Sequence, residues 1–235
     1  MRLDKYLSDM NVGTRTEIKK AVRSGRVTVD GEIAGNPGLS VNETSSVFYK
    51  GKEILYEVFS YYMLNKPSGV ITATEDRFQK TVLDLLPDDR RKDLSPVGRL
   101  DKDTEGLLLI TNDGNLNHRL LSPKHHVDKR YYARIQGQVD SSDVQAFAEG
   151  IRLDDDLLCM PAHLEILESG DISEIEVVIQ EGKFHQIKRM FEAVGKKVIY
   201  LKRLSMGSLV LDPTLSPGEW RRLTDDEIKA LKYEE

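Results

Sequence analysis

The stretch that decides the fold is Gly98-Arg99-Leu100-Asp101-Lys102-Asp103-Thr104-Glu105-Gly106, followed at once by Leu107-Leu108-Leu109-Ile110. Five of the first nine residues are charged, and the four that follow form the most hydrophobic run in the chain. Such a run is expected of a strand covered on both faces. Charged side chains are thereby set at the edge of a rigid buried element, which suits a preorganised site. Spacing alone leaves a second reading open, a salt-bridged turn in which Asp101 or Asp103 caps backbone amides.

Outward from this strand, short apolar runs alternate with helical patterns. Tyr61-Tyr62-Met63-Leu64 is a strand candidate ending at Lys66-Pro67-Ser68-Gly69, and the Leu107–Ile110 strand ends in Asn112-Asp113-Gly114, a turn signal. Asp140 caps a helix across Val144–Ala148, Glu174–Ile179 alternates as a strand does, and His185–Val194 reads as a helix stopped by Gly195. Val198–Leu201 and Ser208–Leu211 read as closing strands, and Thr224-Asp225-Asp226-Glu227 is a capping box for a C-terminal helix. Strands outnumber helices and few connections suit right-handed crossovers. The expectation is an α+β domain over 59–235, with a mixed, largely antiparallel sheet, flanking helices and a central cleft.

Residues 1–58 read as a small separate unit. Thr14-Arg15-Thr16-Glu17 is a capping box, and the helix it opens runs to about Ser24 and stops at Gly25. Ile18, Ala21 and Val22 share one side of it, while Arg15, Lys19, Arg23 and Arg26 form a neighbouring stripe. Val27-Thr28-Val29 followed by Asp30-Gly31 is a two-residue hairpin signal, and Val47-Phe48-Tyr49 with Lys50-Gly51 supplies another strand and turn. With Arg2-Leu3-Asp4-Lys5-Tyr6-Leu7 in front, this unit resembles the RNA-binding domain named after ribosomal protein S4. The resemblance implies an RNA partner but no reaction.

Composition agrees. A chain of 235 residues, 39% hydrophobic and 31% charged, can bury a core and stay soluble, and its N-terminus lacks the apolar core of a secretion signal. No apolar run approaches the roughly 18 residues of a membrane span, so a cytoplasmic protein is expected. Cys159 is the only cysteine. That excludes internal disulfides and argues against a zinc site; Cys159 reads as a small buried hydrophobe. The net charge of −5 conceals two basic segments, +4 over Met1–Arg26 and +6 over Lys183–Arg203. They suggest an electrostatic footprint for nucleic acid on one face.

Two further stretches could carry chemistry. In Glu181-Gly182-Lys183-Phe184-His185-Gln186-Ile187-Lys188-Arg189-Met190-Phe191, the residues Ile187, Met190, Phe191 and Val194 must face the core. Lys188 therefore borders the buried face, where it either snorkels or pairs with a carboxylate in a cleft. His185 has no partner at metal-ligand spacing, and an RNA contact suits it better. Lys129-Arg130-Tyr131-Tyr132-Ala133 places two tyrosines on opposite faces of a strand.

Taken in order, Asn65-Lys66-Pro67-Ser68-Gly69-Val70, the Arg99-Leu100-Asp101 motif with Thr104 and Gly106, Thr111-Asn112-Asp113-Gly114, Lys129-x-Tyr131, Glu181–Phe191 and Pro217-Gly218-Glu219 resemble the pseudouridine synthases. The branch resembled modifies ribosomal RNA and carries the S4-like domain in front. The likeness spans Arg2 to about Leu223. It implies that uridine becomes pseudouridine with no cofactor and no metal. The implied nucleophile is Asp101, a carboxylate able to split one hard step into two. Lys188 is the cation that keeps it ionised, and Tyr131 is the ring against the flipped uracil. Arg99 is the planar cation that fills the vacated stack, with Leu100 and Thr104 in the same pocket. Arg2, Lys5, Arg15, Lys19, Lys20, Arg23 and Arg26 would hold phosphates, and Lys183, His185, Gln186 and Arg189 would meet RNA near the cleft. Relatives acting on large-subunit RNA tend to read Arg-Asn-Arg-Gln after the Glu-Gly pair and often carry charged tails. Lys183-Phe184-His185-Gln186 and an end soon after the last helix look like the small-subunit subgroup instead. The expected partner is 16S rRNA or an assembling small subunit, met by a monomer. A 23S-directed enzyme and a non-catalytic RNA-binding protein are the alternatives.

Overall fold

A computed structural model describes residues 1–88, 90–153 and 157–233. Two compact units result, one of Met1–Ser60 with Leu86–Leu94 and one of Tyr61–Leu85 with Ser95–Glu235.

In the first unit, helices α1 (Leu3–Asp9) and α2 (Arg15–Arg23) precede strands β1 (Val27–Val29), β2 (Glu32–Ile33), β3 (Val47–Tyr49) and β4 (Lys52–Glu53). The Thr14–Glu17 capping box closes as the spacing predicts, with Thr14 Oγ1 accepting from the Glu17 amide and the Glu17 carboxylate accepting from the Thr14 amide. Both hairpin turns use left-handed backbone, at Asp30 and Gly31 (φ 52 and 87) and at Lys50 and Gly51 (φ 51 and 79), as type I′ turns demand. The sheet order is β2-β1-β3-β4, and its core is Leu3, Tyr6, Leu7, Ile18, Val22, Val27 and Val47. As well as Met1–Ser60, this unit takes in Leu86–Leu94, a segment outside the expected 1–58. Arg91, 4% exposed, forks onto the Asp93 carboxylate, donates to the Glu57 carbonyl and lies over the Tyr56 ring. A buried guanidinium needs such partners, and no periodicity in the sequence announces them.

The second unit is built on a sheet of order β13-β5-β7-β11-β8-β10-β9. Its strands are β5 (Tyr61–Lys66), β6 (Ser95–Pro96), β7 (Glu105–Thr111), β8 (Lys129–Gln136), β9 (His163–Glu168), β10 (Ile172–Ile179), β11 (Lys197–Met206), β12 (Leu209–Val210) and β13 (Trp220–Arg222). Helices α3 (Gly114–Leu121), α4 (Ser141–Glu149), α5 (Gln186–Ala193) and α6 (Asp225–Tyr233) flank it. Among these strands only β7 and β11 pair in parallel, so the sheet is mixed and largely antiparallel. Strand β7 is buried from Gly106 to Thr111, as its unbroken apolar run requires.

Two local readings change. Asn112-Asp113-Gly114 ends β7, yet Asp113 then caps α3 by accepting from the Leu116 amide at 3.1 Å. Strand β11 is ten residues long, well beyond Val198–Leu201. Arg203 counts toward the basic Lys183–Arg203 segment, but it is 2% exposed and donates from Nε to the Leu107 carbonyl at 2.7 Å. That approach explains Gly106, with φ 97: a Cβ there would stand 2.3 Å from the Arg203 carbonyl oxygen.

Candidate active site

Asp101 sits in the connection between β6 and β7, just ahead of the buried run of β7. The connection is held by backbone and buried side chains rather than by its own charges. Asp101 closes a turn by accepting from the Thr104 amide at 3.1 Å, and the Gly69 amide donates to the Lys102 carbonyl at 2.8 Å. Thr72 Oγ1 donates to the Leu100 carbonyl at 2.7 Å and accepts from the Leu100 amide at 3.2 Å. Beneath it, the fully buried Lys66 at the end of β5 donates from Nζ to the carbonyls of Pro67 (3.1 Å), Lys102 (3.2 Å) and Thr104 (2.8 Å). Three acceptors match the three N–H bonds of an ammonium. Burial pushes the Lys66 ammonium down to about 8, against the upward pull of the Asp103, Asp101 and Glu105 carboxylates. In sequence Lys66 is one residue of the Asn65–Val70 motif, with no task of its own. Its signal was a lysine at the end of an otherwise apolar strand.

Asp101 itself is partly open to solvent. Lys188 Nζ lies 3.1 Å from Asp101 Oδ2 and 2.6 Å from Asp103 Oδ1, and His185 Nε2 lies 3.6 Å from Asp101 Oδ1. Desolvation works against the Lys188 charge, but the hydrogen bonds to Asp103 and Asp101 win, and its pKa is raised. Lys188 is thus a paired cation beside the carboxylate, where the helical spacing of α5 puts it. The core side of that helix is Ile187, Met190 and Phe191.

A cavity of about 700 Å³ opens over this cluster and is lined by Asp101, Arg99, Leu100, Tyr131, Lys129, Arg203 and the Glu181–His185 turn. That is within the usual range for ligand clefts. A smaller one, about 80 Å³, shares Asp101 and Tyr131 and adds Thr104 and Lys188. Tyr131 is 7% exposed and lies on the inward face of β8, whose buried positions are Lys129, Tyr131, Ala133 and Ile135. Tyr132 points away and packs edge-on against Tyr200. Arg99 is exposed at the cavity, Leu100 is buried, and Thr104 is buried with Oγ1 lacking a hydrogen-bond partner among the described residues. Lys129 is a second buried cation, pushed down to about 8 by burial and by Arg203, with Nζ donating to the Val127 carbonyl at 2.8 Å.

The expected RNA contacts divide. Arg15, Lys19, Lys20, Arg23 and Arg26 are exposed on or just beyond α2 and form no ion pair among the described residues. Arg2 forks onto Asp4 and Lys5 reaches Asp9 at 2.7 Å, so part of their charge is already neutralised. Arg189 is half-buried on α5. Lys183 is paired with Glu181 at 2.7 Å and donates to the Leu158 carbonyl. Gln186 requires correction: it is 4% exposed and turned inward, so it has no surface to offer RNA. Its amide NH₂ donates to Glu181 Oε1 and its carbonyl accepts from the Lys183 amide, so it braces the turn that carries His185. A polar residue at the start of a helix is read as exposed unless its acceptor is visible, and Glu181 lies five positions away.

Cys159 is buried and free, as its reading as a small hydrophobe expected. Among the described residues no group of three or more His, Cys, Asp or Glu side chains is disposed to hold a metal ion, and no helix is long and apolar enough to cross a membrane.

Comparison with known proteins agrees with this geometry. The profile described as RNA pseudouridylate synthase matches residues 60–193, and that of the S4 domain matches residues 1–47. An RNA pseudouridine synthase of Bacillus subtilis, YtzG, is 47% identical over 235 residues, covering 98% of each chain. The ribosomal small subunit pseudouridine synthase A of Vibrio cholerae is 43% identical over 232 residues, and that of Escherichia coli K12 39% over 233, each covering 98% of this chain and 99% or more of the relative. A crystal structure of a pseudouridylate synthase superposes with a TM-score of 0.69 at 37% identity, covering 98% of this chain and 99% of the other. With these matches along its full length, and with Asp101, Lys188 and Tyr131 gathered at one cavity, the chain belongs to the RNA pseudouridylate synthase family.

Proposed function

We propose that this enzyme isomerises one uridine of 16S rRNA to pseudouridine, with Asp101 as nucleophile, Lys188 as its counter-cation and Tyr131 as the ring against the base. The observation that carries the reading is the Asp101 carboxylate, ion-paired to Lys188 and partly exposed at a cavity walled by Tyr131. The reaction breaks the bond between uracil N1 and ribose C1′, turns the base and joins C1′ to C5; the C5 proton leaves and N1 gains one. No atom or electron is left over, so the chain's own residues suffice. An Asp101 oxygen forms the transient covalent bond, at C1′ or on the base, while Lys188 holds the carboxylate charged and aimed. The target must leave its stack, at a cost of a few kcal/mol, and Arg99 at the cavity edge fills the space it leaves. The exposed cations of α2 hold phosphates and give affinity without sequence information.

The 16S target is supported by the Lys183-Phe184-His185-Gln186 wording and by full-length similarity to synthases named for the small subunit. A monomer acting in the cytoplasm, on free 16S rRNA or an assembling subunit, completes the reading. The test is to map pseudouridines in rRNA from cells with and without the gene. One 16S site should vanish; loss at a 23S site instead would reassign the target, and an unchanged map would end the rRNA assignment.

A further inference from the structure

Two phenylalanines near the catalytic turn are too exposed to be explained by packing. Phe184 is 69% exposed and lines the cavity that holds Asp101. Its ring is stacked on that of His185, with centroids 3.8 Å apart and planes 19° apart. Neighbouring side chains on a strand point to opposite sides. Here the left-handed backbone of His185, φ 48, brings the two rings together. Non-glycine residues seldom adopt that conformation, and where they do the strain tends to accompany a functional constraint. His185 in turn lies 3.6 Å from Asp101, so Phe184 is backed by a ring beside that carboxylate while staying largely exposed itself.

Phe78 is 94% exposed, at the tip of the 74–80 loop. The tip is not slack: Asp76 Oδ1 accepts from the amides of Phe78 and Gln79, both at 2.8 Å. Gln79 Oε1 accepts from Lys102 Nζ at 2.8 Å, which ties the loop to the residue after Asp101. Arg77 and Lys80, both exposed, flank Phe78 in sequence, in a loop that also carries Glu75 and Asp76. An open aromatic face beside cations, on a braced backbone, suits a nucleobase with its phosphate. Every base has a face to stack, and the cations serve the charge that follows it.

We propose that Phe184 and Phe78 are stacking platforms for the unpaired bases that flank the flipped uridine, so that the enzyme grips a short single-stranded segment on both rings while the uridine enters the cavity. This rests on the RNA reading above, and extends it from the reacting nucleotide to its neighbours. Phe184 lines the cavity assigned to the reacting uridine, and Phe78 sits on a loop tied to the residue after Asp101, which favours the same RNA over an apolar protein surface.

The test uses the full-length enzyme and a short RNA containing the target uridine, with 2-aminopurine placed in turn at each flanking position. In the wild type, binding should quench or shift the fluorescence at flanking positions. Phe184→Leu and Phe78→Leu should each abolish that change at a flanking position and weaken binding about tenfold. Phe184→Trp and Phe78→Trp should restore both. Both side chains are exposed, so the leucine variants should keep the wild-type thermal midpoint. Leucine variants with unchanged affinity and unchanged fluorescence would overturn the proposal. So would variants that keep affinity but lose the chemical step, or a patch that binds protein and not RNA. If the wild type binds the RNA and forms no pseudouridine, the reading of the reaction fails, while the stacking arms are still scored by fluorescence and affinity.

Discussion

Lys66→Met removes the ammonium under the catalytic turn while keeping the length of the side chain, and its cost can be worked from the contacts. Three carbonyls lose a donor, those of Pro67, Lys102 and Thr104. The Lys102 carbonyl keeps the Gly69 amide, so two are left unpaired. A buried polar group stripped of its partner costs about 1–3 kcal/mol, giving roughly 2–6 kcal/mol in all. Methionine relieves the burial of a charge, which offsets part of this, and a net loss of about 1–3 kcal/mol is expected. That leaves a domain of ordinary stability folded. The larger effect is on chemistry, because Lys66 fixes the Lys102 and Thr104 carbonyls in the turn that begins at Asp101. A misplacement of about 1 Å in a reacting group can cost on the order of 10²-fold. Urea denaturation should show the modest loss, and single-turnover pseudouridine formation at saturating RNA should fall about 100-fold with RNA affinity near wild type. A rate within about threefold of wild type would refute the claim that Lys66 sets the position of Asp101.

Three further outcomes are expected. Lys188→Met should cost under about 1 kcal/mol of stability, since Asp103 is exposed and Asp101 keeps access to water, yet lower the single-turnover rate at least about 100-fold; comparable losses in both would contradict the division. Neutralising Lys19 or Arg23 should weaken RNA binding and reduce its salt slope by roughly one per lost phosphate contact, with the chemical step intact. Lys129 gives a pH signature. Burial holds it at about 8 in the folded chain against an ordinary 10.5, so between those values the unfolded chain binds more protons and stability rises with pH. Lys66 acts in the same direction. Denaturation at pH 8 and pH 10 should therefore show a smaller rise for Lys129→Met than for wild type.

Much of the architecture follows from local signals. The capping boxes at Thr14 and Thr224, the hairpin glycines at Gly31 and Gly51, and the apolar run of β7 each specify their element within a few residues. At the site, the helical phase of α5 is enough to place Lys188 at the edge of the core. What eluded reading were polar groups whose partners are distant in sequence. Lys66 bonds to a carbonyl 38 positions away, Arg203 to one 96 positions away, and Arg91 is completed by Glu57, 34 positions away. Pattern treats such residues as surface, and only tertiary pairing makes them interior. Gln186 misled for the same reason over a shorter span. Phe184 and Phe78 escaped in the opposite direction, since a phenylalanine is read as core unless its exposure is seen.

The most direct measurement of the central claim is single-turnover conversion of a 16S rRNA transcript by Asp101→Asn beside Asp103→Asn. Both carboxylates touch Lys188, so both substitutions disturb the same cation, but only Asp101 is assigned the bond to the substrate. The account predicts no detectable pseudouridine with Asp101→Asn at wild-type RNA affinity, and measurable conversion with Asp103→Asn. Conversion by Asp101→Asn at a rate similar to wild type would contradict it.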